Sequence, residues 1–181
     1  MTRVAVVGNG GSGKTWFAMR LGAALQVPVV HLDLYRWDAQ GRRRDDHAFV
    51  DEVRRALDVP SWVADGNYLG TLADRLSHAD LVIFLDLPAL VCLSGVLRRR
   101  VRTRGRRVED AEHVDRFDIE FVRYVLSYNR SMRPRMIAQL SASDCEVVTV
   151  RSRRDAGHLL RSLGVGPETS RGGSETSREG S

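Results

Sequence analysis

VAVVGNGGSGKT, Val4 to Thr15, is the stretch whose reading decides the fold. Four valine and alanine residues run straight into a segment in which four of six residues are glycine, and Lys14 and Thr15 follow. Gly8-Asn9-Gly10-Gly11-Ser12-Gly13-Lys14-Thr15 satisfies the pattern G-x-x-x-x-G-K-[ST]. Its glycines let the backbone fold tightly and turn its N–H groups inward, toward phosphate oxygens. A helix that starts at once adds its positive N-terminal dipole to the same place. In such a loop Lys14 reaches the β- and γ-phosphates of a nucleotide as a flexible point charge, and the Thr15 hydroxyl holds a magnesium ion. The eight residues Gly8, Asn9, Gly10, Gly11, Ser12, Gly13, Lys14 and Thr15 are therefore the expected nucleotide-binding set, with ATP and Mg2+ as cofactors.

Of the 28 basic residues, every one but Lys14 is arginine. A rigid, bulky guanidinium fits poorly in a loop that wraps a triphosphate, where a slim ammonium is wanted. The rest of the composition is that of an ordinary soluble domain: 181 residues, 43% hydrophobic and 28% charged, with a net charge of +5. No apolar run nears the roughly 18 residues that span a bilayer, and Val4–Val7 is too short for a signal-peptide core. The expectation is a cytoplasmic protein with no membrane partner. Cys92 and Cys145 lack metal-type spacing and are expected reduced and buried, and the five histidines are too scattered for a zinc site. The positive charge suits an anionic partner, either a phosphorylated small molecule or a nucleic acid.

Short apolar runs alternate with helical patterns, which predicts βαβ units and a parallel sheet. The expected strands are Arg3–Val7, Pro28–Leu32, Ser61–Asp65, Leu81–Asp86 and Glu146–Val150. Helices are expected over Lys14–Leu25, with Phe17, Leu21, Ala24 and Leu25 inward, over Leu90–Val101, and over Asp115–Arg133, where Pro134 kinks or ends the run. Beyond Leu163 the chain reads PETSRGGSETSREGS, with ETSR twice and almost nothing apolar. That material cannot offset its ordering entropy. A single domain over 1–163 with a disordered tail over 164–181 is the expected organisation.

In an open α/β sheet the chemistry lies beyond the carboxyl ends of the strands. Asp33, Asp65 and Asp86 stand there. Each can cap a turn, but three around one glycine loop suit a metal and an attacking hydroxyl better. Asp65 is assigned to magnesium, with Asp86 as competitor, and Asp33 to the substrate. RRRVRTRGRR, Arg98 to Arg107, holds seven arginines. It reads as a short lid supplying charge to a phosphoryl transition state, as a nucleic-acid backbone surface, or as a solvated face. Arg116, Arg123 and Arg130 share one helical face, and Arg133 and Arg135 flank Pro134.

With GNGGSGKT, HLDLYRW (His31–Trp37), SWVADGNYLGTLADRL (Ser61–Leu76), ADLVIFLDLP (Ala79–Pro88), FDIEF (Phe117–Phe121), RSMRPRM (Arg130–Met136) and VVTVRSRRD (Val147–Asp155) in place, the chain resembles the DNA topology-modulation protein (FlaR-like) family. That family lies within the adenylate-kinase-like P-loop proteins. The resemblance covers about residues 1–163. It implies a three-layer α/β/α P-loop NTPase fold whose five-stranded parallel sheet has the order 2-3-1-4-5, with a short lid, ATP binding and a kinase-like site. It also implies a magnesium role for Asp65 and an adenine-side role for the Arg151–Arg153 loop. Asn67-Tyr68 replaces the Phe-Pro-Arg of adenylate kinases, which argues against plain adenylate kinase activity. Gly95 stands where such proteins commonly carry an arginine, whose role then falls to Arg99 or Arg102 or is lost. The expected catalytic set is Lys14, Asp33, Arg99, Arg102, Arg130 and Arg133, with Arg151 and Arg153 on the nucleotide. The expected function is an ATP-dependent phosphotransferase acting on a small nucleotide or nucleoside-like acceptor. The alternative is an ATP-binding regulator that acts on nucleic acid.

Overall fold

The computed structural model describes residues 1–38, 40, 42–103 and 119–165. The central strands β1 (Arg3–Gly8), β3 (Trp62–Asp65) and β4 (Leu81–Leu85) are almost wholly buried. Strands apolar on both faces are what a parallel sheet covered by helices on each side requires. With β2 (Val29–His31) and β5 (Glu146–Val150) they form one sheet of order β2-β3-β1-β4-β5, parallel throughout. All five strands stop within one or two residues of their expected bounds.

Alternation along the strands divides the core. Val4 and Val6 of β1 join Phe17, Ala18 and Leu21 of α1 (Lys14–Leu25), Cys92 and Val96 of α5 (Ala89–Thr103), and Ala156 and Leu160 of α7 (Arg153–Ser162). Ala5 and Val7 face the other way. They pack with Phe49 and Val53 of α3 (Asp46–Leu57), Leu72 and Leu76 of α4 (Leu72–His78), and Met136 and Leu140 of α6 (Ile119–Ser141). The result is a three-layer α/β/α arrangement. Burial of a side chain such as Phe17 or Leu21 contributes about 2 kcal/mol. A four-residue helix, α2 (Leu32–Tyr35), follows β2 directly, and a 3-10 turn at Leu69–Thr71 precedes α4. Among the described residues no helix is long and apolar enough to cross a membrane.

Several expectations need correcting. Ala24 is exposed, and α1 instead buries Ala18 and Gly22. A Cβ on Gly22 would collide with the Val29 side chain, so the bare backbone is what lets α1 lie against β2. Helix α6 does not end at Pro134 but runs through it to Ser141. Buried Met136 and Leu140 hold its second half on the sheet and outweigh the missing N–H. Cys145 is half-buried rather than buried, because β5 is an edge strand; Cys92 is buried as expected, and both thiols are free. The expected start of α6 at Asp115, the lid residues Arg104–Arg107 and the tail beyond Val165 lie outside the described residues.

Pro134→Ala is expected to raise the stability to urea unfolding by about 1–3 kcal/mol, since the present helix carries an interior proline at a cost near 3 kcal/mol. Asp45 caps α3, its carboxylate accepting from the N–H groups of His47 (3.0 Å) and Ala48 (2.9 Å). The bond from Ala48 leads the effects that hold its pKa below the ordinary 3.8. A depressed carboxylate stabilises the fold above its unfolded pKa, and that support is lost as the pH falls through its folded value. Asp45→Ala should therefore lower the melting temperature at neutral pH, and the difference from the parent chain should narrow below about pH 4.

Candidate functional site

Because the strands are parallel, the segments after β1, β2, β3 and β4 emerge on one edge. The first is the glycine loop. Gly11 and Gly13 have φ of +77° and +94°, values that side-chain-bearing residues rarely adopt, and Gly13 is the N-cap of α1 with no side chain to cap it. The first turn of α1 thus opens toward the loop with N–H groups that the helix itself does not satisfy. Lys14 folds back across the loop, its Nζ donating to the Asn9 carbonyl at 2.9 Å. Burial pulls its pKa down from 10.5, against the opposing pull of Asp65 and then Asp33. Asn9 is buried and donates through Nδ2 to the Val125 carbonyl at 2.9 Å. Its Oδ1, and the Oγ of buried Ser12, have no hydrogen-bond partner among the described residues.

Asp65 lies behind this loop, only 5% exposed. Strand β3 lies between β1 and β2, with Asp65 in register with Val6 on one side and His31 on the other. Its Oδ2 accepts from the Thr15 hydroxyl at 2.8 Å, and its Oδ1 meets His31 Nδ1 at 2.6 Å. Burial alone would raise its pKa, but the His31 contact, the Thr15 hydrogen bond and the Lys14 charge together hold it below 3.8. Thr15 and Asp65, the two residues expected to hold magnesium, are hydrogen-bonded to each other.

The turn after Asp65 is built by a residue that sequence reasoning did not single out. Arg75, on α4, is fully buried, and its guanidinium donates to the carbonyls of Gly66 (3.1 Å) and Tyr68 (3.2 Å). Desolvation lowers its pKa to about 10. Between those two carbonyls Asn67 is aimed at the glycine loop. Its Oδ1 accepts from the Gly8 N–H at 2.9 Å, and its Nδ2 donates to the Tyr124 hydroxyl at 3.1 Å. Tyr68 turns the other way and donates to Asp33 Oδ1 at 2.7 Å. Its ring packs on Phe49 at 4.6 Å, and Arg36 lies 4.9 Å from the Phe49 ring, acts electrostatically on Tyr68 and is paired to Asp46 at 2.5 Å. The DGNY motif was the only sequence signal for this turn; nothing local announced Arg75.

The expected arginines divide. Arg99, on α5, adds the smallest of the electrostatic effects on Lys14, lowering its pKa. Arg153 reaches from α7 to the Val91 carbonyl at 2.9 Å and covers Gly95. A Cβ on Gly95 would strike the Gly11 carbonyl, so an arginine at 95 has no room in this chain. Arg151 is exposed at the end of β5. Arg133 makes a two-point ion pair with Asp86, both contacts at 2.7 Å, which commits the competitor carboxylate as well. Arg130 is exposed, sharing the outer face of α6 with Arg123 and Leu126, opposite the Phe121–Val125 face that meets Gly10. The side chain of Arg102 lies outside the described residues, as does Arg116. Among the described residues no group of three or more His, Cys, Asp or Glu could hold a metal.

No protein-family model matches this sequence, and no curated protein matches it either. Arg75→Met should cost about 1–3 kcal/mol in thermal or denaturant unfolding, since it leaves the buried Gly66 carbonyl without a donor, while the Tyr68 carbonyl keeps the Thr71 N–H and hydroxyl.

Proposed function

We propose that this chain is an ATP-dependent phosphotransferase with an adenylate-kinase-like P-loop, in keeping with its resemblance to the DNA topology-modulation proteins. The observation that carries the reading is the Gly8–Thr15 loop backed by Asp65, with Lys14 and Thr15 on one side of a buried carboxylate. The residues fit a nucleotide's phosphates. Gly11 has a φ of +77°, and a Cβ on Gly10 would sit 2.9 Å from Phe121, so the loop is bare by necessity. The Ser12 hydroxyl is buried beside it with a donor to spare. The helix N-terminus and Lys14 supply the positive field.

Thr15 and Asp65 would hold a magnesium ion. With few protein ligands it would depend on phosphate oxygens and water for the rest of its shell, and when bound it neutralises charge on the phosphates. Lys14 would leave the Asn9 carbonyl for the β- and γ-phosphates. Burial already weakens its hold on a proton, and a phosphate charge beside it would offset the cost of keeping it ionised. Arg99 would add charge from α5, and Arg153 would line the nucleotide side. Asp33 would orient the acceptor.

Lys14→Ala is expected to lower acceptor-dependent ADP formation by at least about 100-fold, in line with the loss of a major electrostatic contact to the transferring group. A binding test is independent of turnover. Lys14 is the only lysine, so an amine-directed reagent can label only it and the terminal amine. Magnesium and ATP should protect Lys14. Labelling at an unchanged rate in saturating ATP would sink the proposal.

A further inference from the structure

The geometry points to His31 as a positioning residue, whose ring orients Asp65 so that the carboxylate and the Thr15 hydroxyl together take the magnesium ion of Mg·ATP. This inference rests on the phosphotransfer reading above and deepens it at the metal side of the site.

His31 closes β2 and Asp65 closes β3, and the two are in register across the sheet. Residues paired in this way on neighbouring strands send their side chains to the same face. The sheet therefore fixes both backbones, and His31 Nδ1 meets Asp65 Oδ1 at 2.6 Å. Asp65 is ionised, its pKa lying below 3.8 although burial opposes that. An ionised carboxylate only accepts, so Nδ1 carries the hydrogen and donates it. Both side chains are sheltered, His31 at 17% exposure and Asp65 at 6%, so water competes weakly for either.

The consequence is one of orientation. Rotation about the Cβ–Cγ bond of an aspartate is soft, with broad two-fold preferences. The hydrogen bond from the Thr15 hydroxyl to Oδ2, at 2.8 Å, leaves part of that rotation open. The bond from His31 to Oδ1 closes it. Oδ2 is then held against the first turn of α1, next to Lys14, on which Asp65 exerts the largest effect of any charge. Groups that orient a ligating carboxylate count for much of a metal site's affinity, and their loss typically costs about 10–100-fold.

The test titrates magnesium into the full chain at one sub-saturating ATP concentration and reads protection of Lys14 from an amine-directed reagent, so no turnover is needed. His31→Phe keeps a ring and removes the donor, and it should raise the magnesium concentration for half-maximal protection by about tenfold or more. His31→Asn can place its Nδ2 near the position of the imidazole Nδ1, and it should return that midpoint to within about threefold of the unmutated chain. With a chelator in place of magnesium, saturating ATP should protect Lys14 equally in all three chains. Melting curves identify the folded variants, and His31→Ala is the second donor-free variant should His31→Phe not fold. An unchanged magnesium midpoint in a folded donor-free variant overturns the inference. So does a rise as large in His31→Asn as in His31→Phe, or protection that weakens equally with the chelator, since each marks a role in packing alone. Protection of the unmutated chain that ignores magnesium overturns it too. Failure of ATP to protect Lys14 in the unmutated chain, with magnesium or without, is a separate outcome, which overturns the phosphotransfer reading and the role of His31 with it.

Discussion

A carboxylate taken out of water must be paired or it costs several kcal/mol, and Asp65 is such a group at the middle of the sheet edge. Its two oxygens are met by side chains from different elements, Thr15 on α1 and His31 at the end of β2. That pairing is possible only because β3 lies between β1 and β2, with Asp65 level with both Val6 and His31. Strand order, the start of α1 and the placement of the segment after β2 are thereby tied to one residue. The charge on Lys14 and the buried guanidinium of Arg75 act on the same locality.

Helix α6 plays a second organising part. Val125 packs with the α1 side of the core, whereas Met136 and Leu140 pack with the α3 and α4 side. Three polar contacts fasten it to the carboxyl edge of the sheet: Asn9 to the Val125 carbonyl, Asn67 to Tyr124, and Arg133 to Asp86. Two of them end on or beside the glycine loop, since Asn67 also holds the Gly8 N–H. The loop's shape is therefore not a local property of its glycines. It is set from one side by the turn after β3 and from the other by α6.

The readable parts of the sequence were those in which pattern and structure are local. Val4–Val7 followed by glycines marked β1 and the loop, and the spacing after Lys14 marked α1 with its correct ends. Thr15 and Asp65 could be read as neighbours of the loop because both sit at fixed places relative to strands, and they meet there. What could not be read were contacts made by long side chains across the chain. Arg133 was expected in the catalytic set beside Arg130, with nothing to show that it reaches Asp86, 47 residues away. Arg130, three residues earlier, carries the same charge and faces outward, because only rotation about the helix separates them. Arg75 was not singled out, because its backbone acceptors leave no trace in side-chain identity. At Pro134 the local rule was sound, but apolar burial further along α6 outweighed it.

Gly11 and Gly95 meet backbone to backbone: a Cβ on the first would strike the Cys92 carbonyl, and a Cβ on the second the Gly11 carbonyl. Most packing defects in a core can be repaired by shrinking a neighbour, because large and small residues trade volume across a contact. Here both partners are already the smallest residue available. A lineage that lost either glycine could regain the fit only by moving α5 away from the loop, not by a second substitution. The two positions are therefore a dead end in sequence space, where tolerance to drift ends although neither residue carries a functional group.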